Sequence, residues 1–162
     1  MGTPQEPHWL DAEEQQAWLA LIGVLMRLPP ALDAQLHREA GISHFEYSTM
    51  AALSEHPDRA MRISDLAVRA EGSLARVSQV ACRLEKRGWI SRTPDPTDGR
   101  YTLAILTEAG WDKVVETAPS HVEEVRRLTL APLTRAQLKQ LTAIGQRITQ
   151  AINPNGESPK RT

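Results

Sequence analysis

Only one stretch of this chain, residues 89–106, leaves the three-and-four spacing of apolar side chains that marks a helix for the alternation that marks a strand. Trp89, Ile90 and Arg92 lead into a Pro- and Asp-rich segment over 94–99, after which Tyr101, Leu103 and Ile105 alternate with Thr102, Ala104 and Leu106. The pattern predicts a hairpin with a polar tip, and Asp98 with Gly99 suits its turn because glycine tolerates positive φ. The remaining stripes are helical, so the fold class is mainly α with one small antiparallel sheet of two to three strands. Composition agrees: with four Trp, two Tyr and one Phe in 162 residues, the core must be built from Leu, Ile, Val, Ala and Met. The single cysteine, Cys82, excludes an intrachain disulfide and a thiolate-paired zinc site.

Before the hairpin, Asp11 with Glu14 reads as a capped helix start. Trp18, Leu21, Ile22, Leu25, Leu28, Leu32 and Leu36 then mark one long amphipathic face that ends at Gly41, with Pro29 and Pro30 expected to kink or split it. Ser43 with Glu46 opens a short second helix that stops before Pro57, and 56–59 reads as a polar turn. Ser64 is the expected cap for 65–70, and Glu71, Gly72 and Ser73 connect tightly to a fourth helix that runs to Arg87 and ends at Gly88. Its buried face is expected to be Val77, Val80, Ala81 and Leu84. After the hairpin, Thr107 caps a helix carrying Trp111, Val114, Val115, Ala118, Val122, Val125 and Leu128, with Pro119 a candidate bend. Thr134 with Gln137 opens a last helix striped by Leu138, Leu141, Ile148 and Ile152, and 154–162 reads as a disordered tail.

Nineteen Lys and Arg against twenty Asp and Glu leave a net charge of −1, so any nucleic-acid partner must be met by a local patch. Such a patch exists. Across 76–100, Arg76, Arg83, Lys86, Arg87, Arg92 and Arg100 outnumber Glu85, Asp95 and Asp98 by three. The longest apolar run, 18–26, is interrupted by Gly23 and closed by Arg27, so no membrane span is expected. Residues 1–7 carry acid and proline where a secretory signal would carry Lys or Arg, so a cytoplasmic location is expected.

Two short helices joined by a glycine-containing turn and followed at once by a hairpin make a winged helix-turn-helix plan. The second helix of such a pair enters the major groove with its outward side chains. Ser73, Arg76, Gln79 and Arg83 share one face at three-and-four spacing. Arginine can pair bidentately with guanine O6 and N7, and glutamine with adenine N6 and N7. Arg100 suits a narrow, negative minor groove, and Asp98 can orient it. Against these readings, Arg83, Lys86 and Arg87 also suit the solvated end of a helix, and Asp98 is a common turn former.

These residues resemble the MarR family of bacterial transcription regulators. RVSQVACRLEKRGWI over 76–90 is similar to that family's recognition helix and its exit into the wing, and SRTPDPTDGRYTLAILTEAG over 91–110 to its wing and the Leu-Thr-x-x-Gly start of its next helix. Residues 38–53 also fit, and the likeness covers roughly 17–152. The resemblance implies a homodimer whose first, fifth and sixth helices interlock, a flexible 1–10, a dimerisation helix over 11–40, a winged helix-turn-helix over 41–106 and dimerisation helices over 107–153. The long apolar stripes flanking the reading head point the same way. Carried onto this chain, Ser73, Arg76, Ser78, Gln79 and Arg83 become groove or phosphate contacts, with Arg92, Asp98 and Arg100 on the wing. Gln79 departs from the arginine common at its position, which puts base preference there in question. The partner implied is double-stranded DNA at a pseudo-palindromic operator, with a small-molecule effector and repression as the expected mode.

Other chemistry is absent from the sequence. No Gly-rich phosphate loop, nucleophile elbow or metal-binding helix motif occurs, so neither an enzyme nor a cofactor is expected. His8, His37, His44, His56 and His121 lack companions at metal-ligand spacing and read as solvated or capping residues. Cys82 has no resolving partner and reads as a helix-packing or DNA-proximal thiol. Trp18, Trp89 and Trp111 read as packing anchors rather than ligand stackers, although a pocket between the dimerisation helices and the reading head could use one. The alternative function is a winged-helix module that binds protein, which salt dependence would separate from DNA binding.

Overall fold

Each long helix begins where a short polar side chain can take the free N–H groups of the first turn. In the computed structural model, which describes residues 7–153, Asp11 caps α1 (Ala12–Ala40) and Ser43 caps α2 (His44–Ser54), with Glu14 and Glu46 bonding back to close both boxes. Ser73 caps α4 (Leu74–Lys86), Thr107 caps α5 (Glu108–Val125), and Thr134 with Gln137 closes a box on α6 (Arg135–Ile152). The expectations for residues 1–6 and for a disordered 154–162 lie outside the described residues.

Three local expectations are corrected. Pro29 and Pro30 do not split α1. The carbonyls that lose their partners there belong to Leu25 and Met26, in an exposed part of the helix where water can bond them. Helix α3 (Ile63–Arg69) starts before Ser64, with Arg62 at the cap position and no side-chain capping bond. The reason is that 60–62 is a strand, β1 (Ala60–Arg62), which carries the chain directly into the helix. The wing turn needs no positive φ at Gly99; only Gly41 and Gly88 among the described glycines have it. The tip closes instead through Asp98 N to Asp95 O at 3.2 Å and Tyr101 N to Asp98 O at 3.0 Å.

Strands β2 (Ile90–Pro94) and β3 (Thr102–Leu106) form the wing, and the sheet order is β1-β3-β2, all antiparallel. Ile90 pairs with Leu106 and Pro94 with Thr102, while Ala60 pairs with Ile105 on the other edge of β3. The core lies where this sheet meets α2, α3 and α4. It holds Ile42, Met50, Leu53, Leu66, Val77, Val80, Leu84, Ile90 and Ala104, joined by Leu36 from α1. Burying a Leu, Ile, Val or Met side chain is worth about 1.5–3 kcal/mol, so this cluster fixes the reading head. The predicted buried face of α4 is the one found.

The flanking helices are different. Helix α6 has no buried residue, and Leu141, Ile144 and Ile148 are open, as are Trp18, Leu19, Val24, Leu25 and Met26 on α1 and Val115 and Val122 on α5. Trp18 therefore anchors no packing within one chain, whereas Trp89 and Trp111 are half-buried against the core. By length and composition alone α1 is apolar enough to match a bilayer span, and little of its apolar stretch is covered within one chain. Pro119 sits inside α5 without ending it, and a π-helical turn (Arg126–Leu130) follows.

Candidate nucleic-acid interface

The turn between α3 and α4 sets how the second helix is presented. Glu71 takes φ 52° and Gly72 N bonds Ala67 O at 2.9 Å, so the chain reverses within a few residues. A Cβ on Gly72 would fall 2.5 Å from Phe45 Cζ, so the missing side chain is what lets the Phe45 ring lie beneath the turn. Ser73 Oγ then accepts from Arg76 N at 3.2 Å. The hydroxyl expected to touch DNA is thus first of all a helix cap.

With Val77, Val80, Ala81 and Leu84 buried, Arg76, Gln79 and Arg83 are left outward and exposed. At about 100° per residue these three fall within roughly 60° of arc. Ser78 stands about 100° away from Gln79, on the half-buried flank with Glu85 that faces β2. It does not share the face of Arg76.

The basic side chains are held in different ways. Arg76 lies over the Phe45 ring, its guanidinium carbon 3.9 Å from the centroid. Arg83 Nε donates to Glu46 Oε1 at 3.3 Å. Burial alone would raise the Glu46 carboxyl, but the Ser43 backbone N–H and the Arg83 guanidinium outweigh it and leave it below the usual carboxylate range. Arg92 is doubly bound to Glu85 Oε2, at 2.9 and 2.6 Å, and the Arg92 side chain pulls the Glu85 carboxyl down. Arg87 bonds the Gly41 carbonyl and leans on Trp89. Among these partners only Glu46 is an anion from outside 76–100, so it is the one that lowers the surplus of positive charge there.

On the wing, Arg100 Nε and Nη2 both reach Asp98, at 2.9 and 2.6 Å, while Asp98 also accepts from Arg100 N at 3.2 Å. The guanidinium hydrogen bonds hold the Asp98 carboxyl below its usual range. The Arg100 side chain is 84% exposed and that of Asp98 26%, so the pair stands proud of the tip with the cation outermost. The expected ion pair is present, and Asp98 acts as a fixed strut for Arg100.

Two features carry side chains that the sequence did not bring together. His44 and His121, taken as unconnected, meet with ring centroids 5.5 Å apart, and His121 is buried with its Nδ1 3.1 Å from Gln35 Oε1 and its ring edge-on to Tyr47 at 4.7 Å. Burial is the main force pushing both imidazoles below their usual range. The second is a cavity of about 920 Å³ between α1, α2 and the α3–α4 turn, lined among others by Pro30, Tyr47, Glu55, Arg69, Phe45 and Arg76. Only the interlocking of distant helices reveals either one. Among the described residues no cluster of three metal-binding side chains occurs.

The MarR family profile matches residues 42–102, from the start of α2 to the wing. Among solved structures, Sco3205 from Streptomyces coelicolor, a MarR family transcriptional regulator crystallised in complex with DNA, is 39% identical, with 94% of this chain and 95% of that chain covered at a TM-score of 0.89. AbsC, a MarR family regulator from the same organism, is 30% identical, with coverages of 92% and 100% and a TM-score of 0.86. The transcriptional repressor MprA of Escherichia coli is 28% identical over 104 residues, and the chain spans 59% of that relative's length. Recognition helix, wing and flanking helices thus agree with a regulator matched along almost the whole chain, and the protein belongs to the MarR family of transcriptional regulators.

Proposed function

We propose that this chain is a DNA-binding transcriptional repressor of the cytoplasm that grips a pseudo-palindromic duplex as a homodimer. The observation that carries this reading is the presentation of Arg76 and Gln79 on the exposed face of α4 together with the exposed Arg100 at the wing tip. A helix in the major groove and an arginine in the adjoining minor groove use that geometry directly. The complex of Sco3205 with DNA supports it by likeness.

The dimer accounts for the uncovered apolar surface. Trp18, Leu19, Val24, Leu25 and Met26 of α1 and Leu141, Ile144 and Ile148 of α6 are too extensive to leave in water on a monomer. A second copy covers them by twofold symmetry. Release of DNA by a small-molecule effector is supported by the cavity, which lies between α1 and the reading head, where an occupant would bear on their relative placement.

Ionic strength tests the reading. Binding through several phosphates falls steeply and linearly in log affinity against log salt. A flat response, with affinity for another protein instead, would favour the protein-interaction alternative.

A further inference from the structure

Arg76 differs from the other arginines of this surface in how it is held. Arg83, Arg92 and Arg100 each spend N–H donors on a carboxylate, of Glu46, Glu85 and Asp98. Arg76 has no such partner among the described residues, and its guanidinium rests on the Phe45 ring at 3.9 Å. A stacked guanidinium turns its face to the ring and leaves its N–H edge free, whereas a carboxylate occupies that edge. The free edge is the part that matches guanine O6 and N7.

The ring is itself held. Phe45 stands in the first turn of α2, half-buried, under the α3–α4 connection. A Cβ at Gly72 would lie 2.5 Å from its Cζ and 2.9 Å from its Cε2. Glycine at 72 is what keeps that space open. We propose that Phe45 is a positioning residue for base recognition: it fixes the plane of the Arg76 guanidinium while leaving its hydrogen-bonding edge unspent, with Gly72 making room for the ring. The proposal rests on the DNA-binding reading above.

Binding of the full chain to its preferred duplex and to a scrambled duplex is measured by fluorescence anisotropy for wild type, Phe45→Leu, Phe45→Tyr and Gly72→Ala, with Phe45→Leu repeated in an Arg76→Ala background. Phe45→Leu keeps apolar bulk and discards the ring, so it weakens binding to the preferred duplex roughly two- to fivefold and leaves the scrambled duplex unchanged. Gly72→Ala, which displaces the ring, follows it, and Phe45→Tyr stays with wild type. In the Arg76→Ala background Phe45→Leu adds nothing, because a pairwise coupling vanishes once one member is gone. An equal loss in both backgrounds, or on both duplexes, means that Phe45 acts on the fold and overturns the proposal.

The stack also has a readout without DNA. The Hδ protons of Arg76 should be shifted upfield by the ring current in wild type and Phe45→Tyr, and not in Phe45→Leu. An unshifted wild-type signal overturns the proposal even if duplex binds. A chain that shows the shift yet binds no duplex overturns the regulator reading, and the positioning role with it, while leaving the stack in place.

Discussion

Asp95 accepts from Arg62 Nε at 2.5 Å and from Thr97 through both its backbone N–H and its hydroxyl, at 2.8 and 2.7 Å, so one buried carboxylate joins β1 to the wing turn. Arg62 also lies over Tyr101, which ties the far side of the same loop. The shape that lifts Arg100 away from the body is therefore set at Asp95, three residues before the Asp98 strut.

The Thr97 bonds, and then Arg62, hold the Asp95 carboxyl from its ordinary 3.8 down to about 2. The unfolded chain takes up this proton first as the pH falls, so the stabilisation is present above about 3.8 and is lost as the pH drops through about 2. Asp95→Asn should melt below wild type between about pH 5 and 7, and the gap should narrow below about pH 4 and close only towards about pH 2. Thermal melts across that range check this.

Removing Arg100 should weaken duplex binding and relax the preference for A·T pairs flanking the site, because a narrow minor groove attracts the cation most strongly. Arg76→Ala should act elsewhere, costing about 1–3 kcal/mol at one base step. Affinities for duplexes varied one position at a time separate the two patterns. Equal losses across all sequences would assign Arg76 to phosphate alone.

Gly110 lies so close to the wing exit that a Cβ there would fall 2.0 Å from the Trp89 carbonyl oxygen and 2.7 Å from Leu106 Cδ1. The carbonyl belongs to backbone held by Thr107 N at 3.0 Å, so it cannot step aside cheaply. Gly110→Ala should lose about 1–3 kcal/mol by urea denaturation, the usual cost of overpacking.

The His121 ring packs against His44 from α2 with Glu124 of its own helix nearby, and Asp33 of α1 accepts from the His44 backbone N–H at 2.8 Å. Burial disfavours protonation of both imidazoles in the folded chain, whereas the unfolded chain gains protons as the pH falls through the ordinary value of about 6.5. Stability should therefore decline with acid from that point. His121→Asn should flatten this decline in urea midpoints measured between about pH 7.5 and 5, and an unchanged slope would contradict the assignment.

What the sequence made legible was local. The boxes at Asp11 and Glu14, Ser43 and Glu46, and Thr134 and Gln137 each close within one helical turn, and the buried stripe Val77, Val80, Ala81 and Leu84 needs only helical spacing. The Asp98–Arg100 pair is likewise two residues long. Strand β1 escaped because three residues carry no readable alternation; pairing with β3 makes it a strand. Glu46, Phe45 and His44 belong to α2, yet their partners Arg83, Arg76 and His121 stand on other helices, and only the packed core brings them together.

Selection of preferred duplexes from a random library by the full chain tests the central claim most directly. Two copies of α4 and the wing acting across a twofold axis predict an enriched pseudo-palindrome whose half-site centres lie about one helical turn, roughly 10 base pairs, apart. No enrichment at low salt, or a single unpaired half-site, would contradict it.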